Sequence, residues 1–288
     1  MQAITDICFP NGARWLRADF HLHTKADKEF DKKGFQDHDF CRLFVEKLRE
    51  QGVQIGVVAN HNTFDNDEFT NLCKNAFKQG VGLFPGVELS VADGANGVHC
   101  LLVFDGEAWI ANGEDYIHQF LTTAFEGIAN REHKNARCRY SFNDLLQKLD
   151  EHAAQGRDSF IILAHVEDKN GFFQELKGGR IQEIAGNPLF RRFVLGLQKA
   201  RTRDEIKKWR QWLGGELPAF VEGSDCKSLD EVGKAQQSGG VEKKTYLKLG
   251  DCTFAALKYA LTDWNHRVSA NTPPTARNAY IKSIQFEG

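Results

Sequence analysis

Short apolar runs alternate with longer stretches of helical periodicity along most of this chain. Arg14–Thr24 predicts a strand. Asp37–Gln51 predicts a helix with Phe40, Phe44, Val45 and Leu48 on one face, capped by Asp37 or Asp39 and ended by Gly52. Gln54–His61, Gly82–Val91 and Val98–Phe104 are strand-like, while Asn66–Gln79 and Glu114–Phe125 are helical. Ser141–Gln155 predicts an amphipathic helix with Ser141 at its cap and Phe142, Leu145, Leu146 and Leu149 on its inner stripe. A strand at Phe160–His165 follows, then a basic helical region to about Leu213, strands at Pro218–Asp225 and Lys244–Leu249, and a helix at Thr253–Val268. Such alternation implies parallel pairing in an α/β layer or barrel. No repeat with a period of roughly 20–50 residues is visible. Ser269–Arg277 is a linker candidate and Ala279–Gly288 reads as a strand, so we expect one domain over 1–270. Residues 271–288 would be a linker and the start of a further domain or a partner-docking strand.

The chain has 288 residues, 41% hydrophobic and 26% charged, which gives room for one large domain or two small ones. Its apolar runs, such as Phe160–Ala164 and Leu101–Phe104, fall far short of the roughly 18 residues a membrane span needs. Met1–Arg17 lacks the basic-then-apolar pattern of a signal peptide. Seven scattered cysteines with no Cys-x-x-Cys pair argue against a disulfide framework or zinc ribbon, and for a cytoplasmic location. The net charge of −2 excludes a globally cationic nucleic-acid binder. It also conceals an asymmetry: eleven Lys or Arg against four acids between Lys169 and Arg210 make a +7 segment beside a −9 remainder.

Ten histidines are the unusual feature. His21 and His23 end the first strand, and a period of two points both rings to one face with Cα atoms roughly 6.5–7 Å apart. His61 ends the second strand, Glu88 lies near the end of the third, His165 ends the Phe160 strand and Asp225 closes the Ala219 strand. His99 stands at the start of its strand. In barrels of alternating strands and helices the strand C-termini converge on one face, where active sites are built. Imidazoles and carboxylates gathered there make a divalent-metal site, because without an ion the carboxylates would repel one another. His38, His118, His152 and His266 fall on predicted helices and read as surface groups, and His133 borders the mouth. The cysteines read as small buried apolar residues, with Cys226 beside Asp225 the nearest to the candidate ligands.

Asp19-Phe20-His21-Leu22-His23-Thr24, Asn60-His61-Asn62-Thr63, Pro85-Gly86-Val87-Glu88-Leu89, Val98-His99-Cys100-Leu101, Leu163-Ala164-His165 and Gly223-Ser224-Asp225 resemble, in order, the motifs of the PHP (polymerase and histidinol phosphatase) superfamily. The chain looks most like the PHP module that precedes an AAA/SMC-like ATPase in TrlF-type proteins, over about residues 12–268. The resemblance implies an α/β fold, a distorted (β/α)7 PHP-type barrel, and a metal-dependent phosphoesterase. It makes His21, His23, Glu88 and Asp225 the ligands of one metal and Glu88, His99 and His165 those of a second, with Glu88 bridging. The third superfamily metal uses an acidic or His side chain after the first motif, the His of the second motif, and a His two residues after the last Asp. Here Asp27 and Glu29 both stand near the first of these positions and Lys227 replaces the last, while Asn60 stands where Asp is usual. His61 and Lys227 are therefore the expected catalytic assistants, and Asp27 or Glu29 the remnant of the third site. A protonated ammonium cannot ligate a metal but can hold a phosphate oxygen.

Two cations sharing Glu88 would sit roughly 3.5–4 Å apart and activate water for in-line attack on phosphorus. Mixed His and carboxylate ligation suits Mn2+, Zn2+ or Fe2+. No Walker A sequence is present, so this chain has no P-loop nucleotide site, and an SMC/ABC-like or AAA ATPase is expected in cis or in trans. For the substrate, the basic segment offers Arg191, Arg192, Arg201, Arg203 and Lys207, interleaved with Phe172, Phe173, Phe190, Phe193, Trp209 and Trp212, as a nucleic-acid surface. The same pattern also fits a helix pair with core aromatics and solvated charges, or a partner-docking face. Homo-oligomerisation is left open. Two other functions compete: a non-catalytic scaffold or sensor for a partner ATPase, and an amidohydrolase-type C–N hydrolase, which would bridge its metals with a modified lysine rather than a glutamate.

Overall fold

The computed structural model describes Phe9, residues 12–270, 272–273 and 285. In chain order the elements are β1 (Arg14–Leu22), α1 (Phe40–Glu50), β2 (Ile55–His61), α2 (Asn66–Lys78), β3 (Gly82–Val91), β4 (Val98–Phe104), α3 (Gly106–Trp109), α4 (Tyr116–Ala124) and α5 (Phe142–Ala153). Then follow β5 (Ser159–Leu163), α6 (Phe172–Glu175), α7 (Gly178–Ala185), α8 (Pro188–Phe193), β6 (Val194–Gln198), α9 (Arg203–Trp212) and β7 (Ala219–Val221). The chain continues through β8 (Gln236–Ser238), β9 (Val241–Lys243), β10 (Thr245–Leu249), α10 (Phe254–Thr262), α11 (Trp264–Arg267) and β11 (Val268–Ala270). No helix among the described residues is long and apolar enough to cross a membrane.

Nine strands form one sheet in the order β11-β10-β1-β2-β3-β4-β5-β6-β7, rolled into a nearly closed barrel. Closure comes from the chain just after β7: Phe20 N donates to Glu222 O at 3.3 Å and Asp225 N to His21 O at 2.8 Å. Strands β10 and β11 lie outside this seven-strand ring, with β10 antiparallel to the first half of β1 from Arg14 to Ala18.

Interior and exterior positions alternate along the strands. Leu16, Ala18 and Phe20 of β1, Ile55, Val57 and Ala59 of β2, Leu101 and Val103 of β4, and Phe160 and Ile162 of β5 form the inner cluster. Phe254, Leu257, Ala260 and Leu261 of α10 join it, closing the end at which the parallel strands begin. The opposite faces of the strands pack under α1, α2, α4, α5 and α8 in a second cluster. Helix α5 is capped by Ser141, as the sequence predicts, and Asp144 completes a capping box with it.

Three expectations need correction. Pairing is not uniformly parallel, because β4 runs antiparallel to both β3 and β5. The region to Leu213 is not helical throughout: Val194–Gln198 is a buried strand, and an apolar run of that length flanked by helices has no periodicity to reveal it. The linker expected from Ser269 is preceded by β11, whose Ser269 and Ala270 pair with β10. The strand expected at Ala279–Gly288 lies, apart from Gln285, outside the described residues.

Candidate metal centre

A β-bulge decides where the first motif points. Between the pairs Asp19–Gly56 and Leu22–Val58, β1 advances three residues while β2 advances two. Strict alternation from Leu16, Ala18 and Phe20 would send Leu22 inward. The extra residue inverts the parity, so Leu22 packs outside and His21 and His23 turn into the barrel, both fully buried. Glu88 needs no such device, since it continues the inward parity of Phe84 and Gly86 on β3 and lies opposite His61 in register. His99 reaches the same mouth from the start of its strand because β4 is reversed. His165 and Asp225 follow β5 and β7 with left-handed backbones, φ +27° and +53°.

These ends assemble two donor sets: His21, His23 and Asp225, and Glu88, His99 and His165, each with ligand atoms within 4.8 Å of one another. The buried carboxylate of Glu88 divides itself between them. Its Oε2 lies 3.4 Å from His21 Nε2 and 3.7 Å from His23 Nε2. Its Oε1 lies 3.0 Å from His99 Nδ1 and 3.1 Å from His165 Nε2. Burial alone would raise the Glu88 pKa, but the imidazoles of His21, His99 and His165 hold it well below the carboxylate range.

The residues present fit a pair of divalent ions. His21 Nε2, which lies 3.4 Å from Glu88 Oε2, is buried and without a hydrogen-bond partner, a costly arrangement unless a group outside the protein chain enters the site. Imidazole nitrogens and carboxylate oxygens around one bridging carboxylate suit borderline first-row ions. Support for the imidazoles is in place as well. His23 Nδ1 is 2.7 Å from Asp27 Oδ2, and the same oxygen accepts from His61 N at 2.8 Å.

The remaining expected residues separate by position. Glu29 lines the cavity at the mouth, about 200 Å³ in volume, whereas Asp27 stands behind His23 and does not. His61 lines the cavity, and burial first, then His99, lowers its pKa to about 4, so its ring is neutral at pH 7. Lys227 Nζ lies 2.9 Å from His23 Nε2, 3.6 Å from Asp225 Oδ1 and 3.8 Å from Glu29 Oε2. Burial works against its charge, but Glu88, Asp225, Asp27 and Glu29 outweigh burial and raise its pKa. Asn60 faces away from the cavity and clamps the first two motifs together, its Oδ1 accepting from Thr24 N at 2.7 Å. His133 is absent from the cavity lining and its neighbour Lys134 is there instead, with Lys169 and Asn170. His152 is no surface group: its ring sits 4.6 Å from that of Trp109 and 5.8 Å from that of Phe120.

Most aromatics of the basic segment are packed into the protein. Phe172, Phe190, Phe193 and Trp209 are buried in the outer core, and Phe173 lies flat on Trp209 with centroids 4.1 Å apart. Arg191 donates to Glu216 O and Leu213 O, and Arg192 pairs with Asp150. Arg201 pairs with Glu222 and Lys207 with Asp204. Arg203 opens α9. Residues that sequence reasoning passed over are Gln198 and Lys199, at the end of the missed strand β6. Lys199 Nζ is 2.9 Å from Asp225 Oδ2.

A two-domain protein of Bacteroides vulgatus ATCC 8482, described as containing a predicted PHP-like metal-dependent phosphoesterase, superposes on this barrel. Its TM-score is 0.55 at 15% identity, covering 94% of this chain and 68% of that one. The fold is that of a PHP-like barrel. PsfC of Pseudomonas syringae PB-5123 gives a TM-score of 0.47 at 15% identity, over 89% of this chain and 91% of that one. An amidohydrolase of Chromobacterium violaceum gives 0.45 at 12% identity, over 73% and 87%. No family model matches the chain, and no curated protein matches it. In the PHP-like frame, both donor sets lie at the mouth where the parallel strands end, the face on which barrels of this kind build their sites.

Proposed function

We propose that this chain is a metal-dependent phosphoesterase that hydrolyses phosphodiester bonds, serving as a nuclease module beside an SMC/ABC-like or AAA ATPase in cis or in trans. The observation that carries the hydrolase reading is Glu88, a buried carboxylate whose two oxygens each face a separate set of imidazole and carboxylate donors. His21, His23, Glu88 and Asp225 would hold one divalent ion and Glu88, His99 and His165 a second, with Mn2+, Zn2+ or Fe2+ compatible with these donors. Bound there, the ions supply charge that polarises a phosphoryl oxygen and acidifies water.

The protein's own groups do the rest. Lys227 keeps a fixed positive charge at the cavity wall, where it holds a non-bridging phosphate oxygen as negative charge grows. Neutral His61 offers a hydrogen bond to the phosphate or the leaving oxygen. Lys134 and Lys169 share the wall with Lys227 and favour an anionic substrate, which supports a nucleic acid. The ATPase partnership rests on the resemblance of the motifs, and the cytoplasmic location on the cysteine usage.

Elemental analysis of the purified protein tests this first, followed by Mn2+-supplemented assays on single- and double-stranded DNA, RNA and a generic phosphodiester. About two ions per chain and hydrolysis of at least one substrate are expected. His21→Ala and Asp225→Ala should each remove hydrolysis and retained metal while keeping the circular dichroism of the fold. Unchanged hydrolysis in either variant overturns the assignment, and a metal-free, inactive wild type favours the scaffold reading.

A further inference from the structure

Among the strands of the ring, β6 ends without a His, Asp or Glu at the mouth. Its last residue, Gln198, is fully buried, and Lys199 beside it has φ +58°. That left-handed step breaks the usual alternation, so two consecutive side chains both serve the mouth. Gln198 Oε1 lies 3.2 Å from the backbone N of His165 and 3.0 Å from Nδ1 of His21.

Those two contacts fix a proton. A backbone N–H can only donate, so the amide atom facing His165 N is the oxygen, and the orientation of the Gln198 amide follows. An amide oxygen has no proton to give, so Nδ1 of a neutral His21 carries the hydrogen and Nε2 keeps its lone pair. Nε2 is the buried, unpartnered nitrogen that lies 3.4 Å from Glu88 Oε2 and 3.9 Å from Asp225 Oδ1. His23 is oriented in the same sense by a different group, the carboxylate of Asp27.

We propose that Gln198 is a positioning residue: one amide oxygen holds His21 in the Nδ1–H tautomer, aims its Nε2 lone pair between Glu88 and Asp225, and anchors the backbone of His165. A single side chain thus orders one member of each donor set. The metal-binding consequence rests on the proposed metal centre, whereas the tautomer does not. A neutral amide is also a weaker acceptor than a carboxylate, which makes His21 the weaker and His23 the stronger donor of the pair.

The test compares Gln198→Leu, which removes the acceptor, with Gln198→Glu, which keeps one in the same place. In metal-free protein, at a pH where the ¹⁵N shifts themselves report a neutral His21 ring, they should show Nδ1–H in the wild type and in Gln198→Glu. Gln198→Leu should show a mixture of tautomers. Competition with a chromogenic chelator for Co2+ should show affinity about 10–100-fold weaker in Gln198→Leu and wild-type or tighter in Gln198→Glu. Wild-type tautomer and affinity in Gln198→Leu would overturn the proposal, as would an equal loss in both variants, which marks a space-filling role. A wild type that takes up no Co2+ sinks the metal centre instead, and the ring shifts still decide what Gln198 does to His21.

Discussion

Closure of the barrel against β1 depends on the absence of a side chain at one position, and Gly223→Ala tests that dependence. A Cβ on Gly223 would lie 2.5 Å from His21 N, 2.6 Å from His21 Cβ and 3.0 Å from His21 Cα. Ordinary carbon contacts begin near 3.5 Å, so the methyl intrudes by about 1 Å on backbone that cannot rotate away. The φ of Gly223 lies outside the left-handed region, so the cost is steric alone. Relief requires the segment after β7 to move off β1, which stretches the flanking hydrogen bonds Phe20 N to Glu222 O and Asp225 N to His21 O. Overpacking costs about 1–3 kcal/mol and each of the two weakened hydrogen bonds about 0.5–1.5 kcal/mol, so about 2–6 kcal/mol is expected in total. For a chain of this size that is a fall of about 3–10 °C in Tm. The same movement carries His21 and Asp225 apart, so retained metal should fall in parallel. Gly179→Ala is the matched control: nothing lies within 4 Å of its Cβ, and it sits in helix α7, where alanine is the better residue by about 0.5–1 kcal/mol. Thermal unfolding followed by circular dichroism, with elemental analysis of both variants, reads the outcome. If Gly223→Ala melts with the wild type and keeps its metal, the seam is not where the barrel is held.

Lys227→Met should lower kcat/KM for a phosphodiester by about 10²-fold, the usual cost of one charge-stabilising group; a loss below about twofold refutes a role at the phosphate. His152 gives a pH-dependent stability outside the site. Burial first, then Arg157, lowers its pKa from 6.5 to about 4, so the folded form resists a proton that the unfolded chain accepts. The stabilisation is complete above about pH 6.5 and is lost as pH falls through about 4, with about 1–2 kcal/mol at stake after allowing for partial exposure. Urea midpoints between about pH 4 and 7 should therefore slope less in His152→Gln than in the wild type; equal slopes refute the assignment. Asn62 donates to Arg131 O and Ala136 O, both at 3.1 Å, accepts from Ser90 N at 2.9 Å, and has φ +53°. Asn62→Ala and Asn62→Gly lose the same bonds, but alanine also bears the left-handed strain, so it should be the less stable by about 1 kcal/mol in chemical unfolding. Equal stabilities would remove the strain argument.

Much of the site was legible because its chemistry sits in short local patterns. Glu88 follows a regular strand, so its inward direction could be read by counting from Phe84. Strand direction is a different kind of fact. His99 looked misplaced at the start of its strand because nothing local encodes that β4 runs against its neighbours. His21 and His23 were rightly put on one face together, but which face was set by a bulge against β2, a pairing between distant segments. The interleaved aromatics from Phe172 to Trp212 had three readings at the level of composition, and burial of Phe172, Phe190, Phe193 and Trp209 under the outer face of the barrel fits the core one. Gln198 and Lys199 gave no signal, since β6 was hidden among helices and neither residue type stands out at a strand end.

The backbone at the mouth explains why the chemistry converges. Seven non-glycine residues among those described have positive φ, and four of them, Asn62, His165, Lys199 and Asp225, follow the ends of β2, β5, β6 and β7. Each such residue costs about 1–3 kcal/mol and persists only where its surroundings over-determine it. The surroundings do so here: Asn62 is held by three backbone groups, His165 by the Gln198 amide, and Lys199 and Asp225 by each other. A regular strand end would splay alternate side chains away from the cavity, and glycine would relieve the strain but bring no donor. Four strained, donor- or clamp-bearing residues on one face are therefore a local sacrifice of stability made where the side chains must meet. Three of the four lie within the motifs and Lys199 lies outside them, and the strain marks the same mouth as the donor sets.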